Sequence, residues 1–303
     1  MPATAPLWDP RQYLRHEGHR ARPFVDLLAR VPELPAEVPV ERADRPAEGA
    51  GRPGERVGRP AEGAGRPPRI ADLGCGPGNV TQLLADRWPT AHITGFDNSP
   101  EMLTRAEPLA GPTAGGGRLD FAPADVRTWS PSPHEPYDLI ISNATLQWVP
   151  DHAESFAPWI AGLVPGGTFA FQVPSNFDAP SHVLMRELAE SEQWKDRLAG
   201  VLRHADAVLT APEYLERLVV LGCEADVWET TYLHLLEGED PVLDWVKGTG
   251  LRPILTTLAD DQAATESFLA EYRALLREAY PATPHGTVFP FRRLFAVARK
   301  ADT

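Results

Sequence analysis

A chain of 303 residues, 43% of them hydrophobic, is long enough to bury one large core or two modest ones. Its formal net charge of −13 repels polyanions, so neither nucleic acid nor an anionic membrane surface is expected as a partner, and an anionic ligand needs a locally basic pocket. Cys75 and Cys223, the two cysteines, stand in no metal-ligand or redox spacing, which excludes a disulfide framework and a structural zinc site.

A cytoplasmic location is expected. The N-terminus "MPATAPLWDP" lacks the charged-then-apolar pattern of a signal peptide, and no apolar run reaches the ~18 residues of a membrane span. Residues 1–31 predict helices that close over a site. In "DPRQYLRHEGHRARPFVDLLARVP" a first helix breaks at 18–23, and a second carries Phe24, Leu27, Leu28 and Val31 on one face. Residues 32–68 differ in composition, with "RPAEGAGRP" occurring twice, from Arg45 and from Arg59. That unit has almost nothing apolar to bury, so a low-complexity Pro/Gly/Arg linker is expected.

Strand and helix patterns alternate over residues 69–173. Strands are predicted at 69–73, 92–96, 119–122, 138–142 and 168–173, as short apolar runs suited to burial on both faces. Helix faces are marked by Val80, Leu83, Leu84 and Trp88, and by Phe156, Trp159, Ile160 and Leu163. This order predicts an α/β fold with a doubly wound parallel sheet. Over residues 174–303 the rhythm changes to a helix at 181–202, a β-rich run "ADVWETTYLHLL", more helix at 241–279 and a last strand in "VFPFRRLFAVARK". These segments are expected to cap the ligand-binding edge and complete the sheet.

The loop in "ADLGCGPGN" follows the first strand, where a ligand meets the backbone most closely. Gly74, Gly76 and Gly78 remove the Cβ atoms that would obstruct that approach. Asn79 stands where a dinucleotide fingerprint has its third glycine, which argues against a pyrophosphate cradle, and no Gly-Lys-Ser/Thr follows to make a Walker loop. About 20 residues on, "ITGFDNSPEML" ends a strand with Asp97, the place for a carboxylate that accepts ribose hydroxyls. Capping of the next helix is its competing role, and Ser99 with Pro100 predicts the start of that helix.

"DLGCGPGN", "GFDNSPEML", "FAPADVRTW" and "YDLIISNATLQWV", in that order, resemble class I S-adenosylmethionine-dependent methyltransferases over residues 70–173. The resemblance implies a Rossmann-like sheet with its last strand antiparallel, S-adenosylmethionine as methyl donor, and no metal. It implies Asp72, Gly74 and Gly76 at the methionine end of the donor, Asp97 on its ribose, Asp125 with Val126 at its adenine, and Asn143 beside the sulfonium. A second set of segments, "LWDPRQYL", "ARPFVDLLARVP", "SNATLQWVPDH", "QVPSNFDAPSH", "DVWETTYLHLLEG", "WVKGTGLRPIL", "REAYP" and "FPFRRLF", is similar to the trans-aconitate 2-methyltransferase family over nearly all of the chain outside 32–68. That similarity implies a mainly helical substrate cap and esterification of one carboxylate of trans-aconitate.

The implied chemistry sets physical demands. A carboxylate is already ionised at neutral pH, so no general base is required, and positioning carries the rate. About three negative charges on the acceptor call for local cations, with arginine favoured for its fork. The candidates are Arg22, Arg252 and Arg292 or Arg293, then Lys247, His152 and His182, with Trp8, Tyr13, Trp148 and Tyr232 to exclude water. Each has a plainer role available: Arg22 pairing with a nearby acid, Lys247 as a solvated helix charge, the histidines and aromatics as packing. Arg292 and Arg293 are neighbours in a strand, so at most one enters the pocket. Three other functions remain open from the residues: a methyltransferase for another small carboxylic acid or natural product, an NAD-dependent oxidoreductase, and a non-catalytic S-adenosylmethionine-binding protein.

Overall fold

The structure, a computed structural model, describes residues 17–38, 65–202 and 207–302, with side chains from residue 21 onward in the first segment. Helix α1 (Glu17–Leu28) precedes strand β1 (Arg69–Leu73), α2 (Thr81–Arg87), β2 (His92–Asp97) and α3 (Pro100–Ala106). Next come the short β3 (Gly111–Pro112), β4 (Arg118–Pro123), β5 (Tyr137–Asn143), α4 (Phe156–Ala161) and β6 (Leu163–Pro174). The cap follows as α5 (Pro180–Ala189), α6 (Lys195–Leu198) and α7 (Ala211–Val220), then β7 (Cys223–Leu236), α8 (Pro241–Lys247), α9 (Arg252–Thr257) and α10 (Gln262–Ala279). The short β8 (Ala282–Thr283) and the long β9 (Gly286–Lys300) end the chain. No helix among the described residues is long and apolar enough to cross a membrane.

The strands form one sheet in the order β3-β4-β2-β1-β5-β6-β9-β7, with β8 on β9. β1, β2, β4, β5 and β6 run parallel, and β9 lies antiparallel between β6 and β7. This is the expected doubly wound class I methyltransferase sheet with its last strand reversed. β5 is buried from Tyr137 to Ser142, as a central parallel strand covered on both faces must be. One apolar cluster, with Phe156, Trp159 and Phe169, fills one face of the sheet, and another, with Phe24, Leu84 and Phe295, fills the other. A third, around Trp245, Phe268 and Tyr272, holds the cap together.

The antiparallel pair also positions the cap. Pro174, the last residue of β6, pairs with Arg293, so residues 286–292 of β9 run past the carboxyl end of β6 alongside the end of β7. That projecting ribbon carries Phe289 and Phe291 into the cap cluster, directly over the edge where a ligand binds in such sheets.

Three expectations change. The break at 18–23 is absent within α1, which runs through Pro23; one missing hydrogen bond is outweighed by burial of Phe24, Leu27 and Leu28. The helix expected at 181–202 stops at Ala189, because the chain turns to seat Trp194 edge-on against Phe268. The helix expected at 241–279 is three helices. Gly248 and Gly250 interrupt it once, and Asp261 restarts it as an N-cap accepting from Ala264 N at 3.0 Å. α7 was not expected, although Thr210 and Glu213 form a capping box at its start.

Most of the 32–68 linker lies outside the described residues, but its base is closed. Val38 and Arg66 exchange two backbone hydrogen bonds of 2.8 and 2.9 Å. Arg66 then forks onto the buried Asp138 at 2.7 and 3.1 Å, and Arg69 N donates to the same carboxylate. Arg69 begins β1 and Asp138 lies near the start of β5. The insertion therefore leaves the fold at the amino edge of the sheet, opposite the edge that the cap covers.

Candidate active site

The order of the sheet reverses at β1, which lies between β2 and β5, and the loops after β1 and β5 meet there. A Cβ on Gly74 would overlap the Thr145 side chain, so only glycine lets the two loops touch. Gly74 (φ +78°) and Gly76 (φ +56°) both occupy the left-handed region. Gly76 differs in that open space lies where its Cβ would be. Gly78 is the packing glycine, since a Cβ there would come within 2.7 Å of Phe121.

Two carboxylates underlie this loop. Asp97 accepts from Gly76 N at 2.9 Å on one oxygen and from Ser99 N at 2.8 Å on the other, so it ties the glycine loop to the start of α3. Burial raises its pKa. The competing role as a helix-start residue is thus real; with backbone donors from Gly76, Asn98 and Ser99, the carboxylate still has acceptor capacity for a further donor. Asp72, almost fully buried, accepts from Thr81 Oγ1 at 2.7 Å, and burial lifts its pKa to about 7, with Asp97 adding to the rise. Farther along the same edge, Asp125 accepts from Arg127 Nε at 3.0 Å, which holds its pKa low, and Val126 is buried beside it. Asn143 ends β5, and its Oδ1 is buried with no hydrogen-bond partner among the described residues.

Asn143 also lines a cavity between the sheet edge and the cap, together with Trp148, His182, Arg186, Gly250 and Arg293. Arg293, 5% exposed, donates from Nη1 to Gln172 Oε1 at 3.0 Å, and its guanidinium lies 4.8 Å from the Phe291 ring centroid. Arg186 reaches the wall from α5 and donates to Phe177 O at 2.6 Å. His182, one turn earlier on that helix, has its pKa pushed down to about 4, first by burial and then by Arg186.

The other candidates stand elsewhere. Arg292 points to the opposite face from Arg293, with Nε on Ser175 O at 2.8 Å and Nη2 on Asp178 at 2.7 Å. Arg22 is 71% exposed and pairs with Asp26 at 3.8 Å; Tyr232 donates to the same Asp26 at 2.6 Å, beneath the Arg22 guanidinium. Lys247 pairs with Asp244 at 3.4 Å on the surface of α8. Arg252 begins α9 beside the cavity-lining Gly250 and Pro253 but does not itself line it, and its Nε is buried with no partner among the described residues. His152 is a core histidine, with Nε2 2.6 Å from the Tyr214 hydroxyl and Nδ1 3.1 Å from Val149 O. Trp8 and Tyr13 lie outside the described residues.

Arg186 was missed in the sequence. The signal was available, since it lies four residues after His182 and so on the same helix face. Gln172 was missed as well, and nothing local distinguishes it from any other polar residue in a strand.

Residues 70–167 match the family model described as "Methyltransferase domain". The trans-aconitate 2-methyltransferase of Streptomyces coelicolor is 65% identical over 302 residues, which is 100% of this chain and 89% of that protein. Its counterpart from Streptomyces avermitilis is 66% identical over 300 residues, 99% of each. The protein of that name from Mycobacterium sp. (strain KMS) is 44% identical, with 97% of this chain and 99% of that protein covered. Similarity of this extent includes the cap as well as the glycine loop, and the chain belongs to the trans-aconitate 2-methyltransferase family.

Proposed function

We propose that this protein transfers the sulfonium methyl group of S-adenosylmethionine to one carboxylate of trans-aconitate, giving a monomethyl ester and S-adenosylhomocysteine. The observation that carries the reading is a single cavity in which Asn143, at the end of a central strand, shares walls with Arg186 and Arg293 in an otherwise acidic protein. A tricarboxylate meets cations there while remaining next to the expected donor site.

The donor side fits the chain's own residues. Gly76 leaves room at the backbone for the methionine end while Gly74 lets the Thr145 loop close against it, Asp97 retains acceptor capacity for a ribose hydroxyl, and Asp125 with Val126 borders the adenine. Asp72 supports the loop through Thr81, and the Oδ1 of Asn143, which has no partner among the described residues, supplies an acceptor beside the sulfonium. The donor brings an activated methyl group; the protein's part is alignment. A carboxylate oxygen forms the new O–CH₃ bond as the S–CH₃ bond breaks, the electron pair stays on sulfur, and no proton moves. Bringing the reacting atoms to about 3–3.5 Å supplies most of the acceleration. Both substrates are small and water-soluble, in keeping with action in the cytoplasm.

Incubation with trans-aconitate and methyl-labelled donor tests the reading. One methyl per acceptor, with S-adenosylhomocysteine formed in equal amount, is expected. A panel of di- and tricarboxylates decides the acceptor: transfer to another acid but not to trans-aconitate overturns the assignment. Binding of NADH without binding of S-adenosylhomocysteine overturns the donor.

A further inference from the structure

The cavity wall contains a histidine whose tautomer the fold dictates. Ser181 is completely buried at the start of α5, and its backbone is clamped by two tyrosines: Tyr280 Oη accepts from Ser181 N at 3.0 Å, and Tyr272 Oη donates to Ser181 O at 2.6 Å. Among the described residues its hydroxyl has one hydrogen-bond contact, His182 Nδ1 at 3.1 Å. A buried hydroxyl proton needs an acceptor, and if Nδ1 carried a proton that hydroxyl would have none. The hydroxyl therefore donates to Nδ1, and the imidazole proton sits on Nε2.

Nε2 is on the open side. It faces Gly250, where an added Cβ would stand 3.2 Å away, and both residues line the cavity. Gly250 has no positive φ to explain it, so its lack of a side chain leaves room at this nitrogen. Arg186, one helical turn on, opposes a second positive charge, and Asp178 on the preceding loop is the acid that acts on the ring; burial decides the balance against protonation.

We infer that His182 is an acceptor-binding residue that donates an uncharged Nε2–H hydrogen bond to a substrate carboxylate. This rests on the carboxyl methyl transfer proposed above. A cation held against the nucleophilic oxygen would draw off the charge that attacks the methyl group. A neutral donor orients a carboxylate and leaves that charge in place. With Arg186 and Arg293 lining the same cavity as cations for the other carboxylates, His182 is the donor suited to the one that reacts.

The test combines kinetics with ¹⁵N NMR of the full-length protein. Wild-type His182 is expected as the neutral Nε2–H tautomer from pH 6 to 8, and Ser181→Ala is expected to mix the tautomers. His182→Ala should raise the KM for trans-aconitate at least tenfold with the donor KM unchanged. His182→Gln, which keeps an N–H donor at a similar reach, should recover much of that loss. An imidazolium or Nδ1–H tautomer in the wild type overturns the inference, as does a trans-aconitate KM within twofold of wild type in His182→Ala. If the wild type esterifies no carboxylate, the proposed function fails rather than this role.

Discussion

Arg293 donates to Gln172 across the β9–β6 edge at 3.0 Å, while its neighbour Arg292 bonds Asp178 on the other face. Two adjacent arginines thus separate into one cavity residue and one surface residue. Arg293→Ala is expected to raise the acceptor KM 10- to 100-fold, the equivalent of about 1.4–2.8 kcal/mol for a lost charged hydrogen bond, with donor affinity unchanged. Arg292→Ala should stay within threefold. Steady-state kinetics with each substrate varied in turn decides the point; equal losses in the two variants would remove Arg293 from the acceptor site.

The two loop glycines are separable by the space beside them. Gly74→Ala combines left-handed strain with a collision against Thr145 and should cost about 2–3 kcal/mol in urea unfolding. Gly76→Ala meets nothing and should cost about 1 kcal/mol, yet still weaken S-adenosylhomocysteine binding by calorimetry, because the methyl group occupies the open side of the loop. Unchanged binding in Gly76→Ala would move the donor away from that side.

The insertion is expected to be dispensable. Replacing residues 39–65 by Asn-Gly keeps the Val38–Arg66 bridge, removes a long loop closure worth about 2 kcal/mol, and should leave kcat/KM within twofold. Arg66→Ala should instead destabilise by about 2–3 kcal/mol, since Asp138 loses its charged partner while staying buried. A large fall in kcat/KM for the shortened chain would mean that the insertion reaches the active site.

Asp72 makes stability depend on pH in a stated direction. Its folded pKa of about 7 lies above the ordinary 3.8, so the folded state binds the extra proton, and stability falls as pH rises from about 4 to 7. The slope contributed is up to about 1.4 kcal/mol per pH unit. Asp72→Asn should remove that fall, seen as a smaller drop in the urea midpoint of the ligand-free protein between pH 5 and pH 8. Parallel curves for the two proteins would place the titration elsewhere.

The amino-acid sequence alone determined the parallel strands, the glycine turn and the residue pair opening α3, because each depends on neighbours a few positions away. Apolar runs mark β1 and β5, and Ser99-Pro100 marks the helix start that the structure contains. It also limited Arg292 and Arg293 to opposite faces through the period of two in a strand. Which face meets the cavity was decided by tertiary structure, through the β9–β7 ribbon projecting past β6 and the helices packed on it.

The histidines show the same division. His152 and His182 look alike in sequence, each a lone ring after a short polar segment. One is held in the core by a hydrogen bond to Tyr214, 62 residues away, while the other faces Gly250 and is turned by the buried Ser181 hydroxyl. Local periodicity sets which side of an element a residue occupies, but only long-range packing determines what lies on that side.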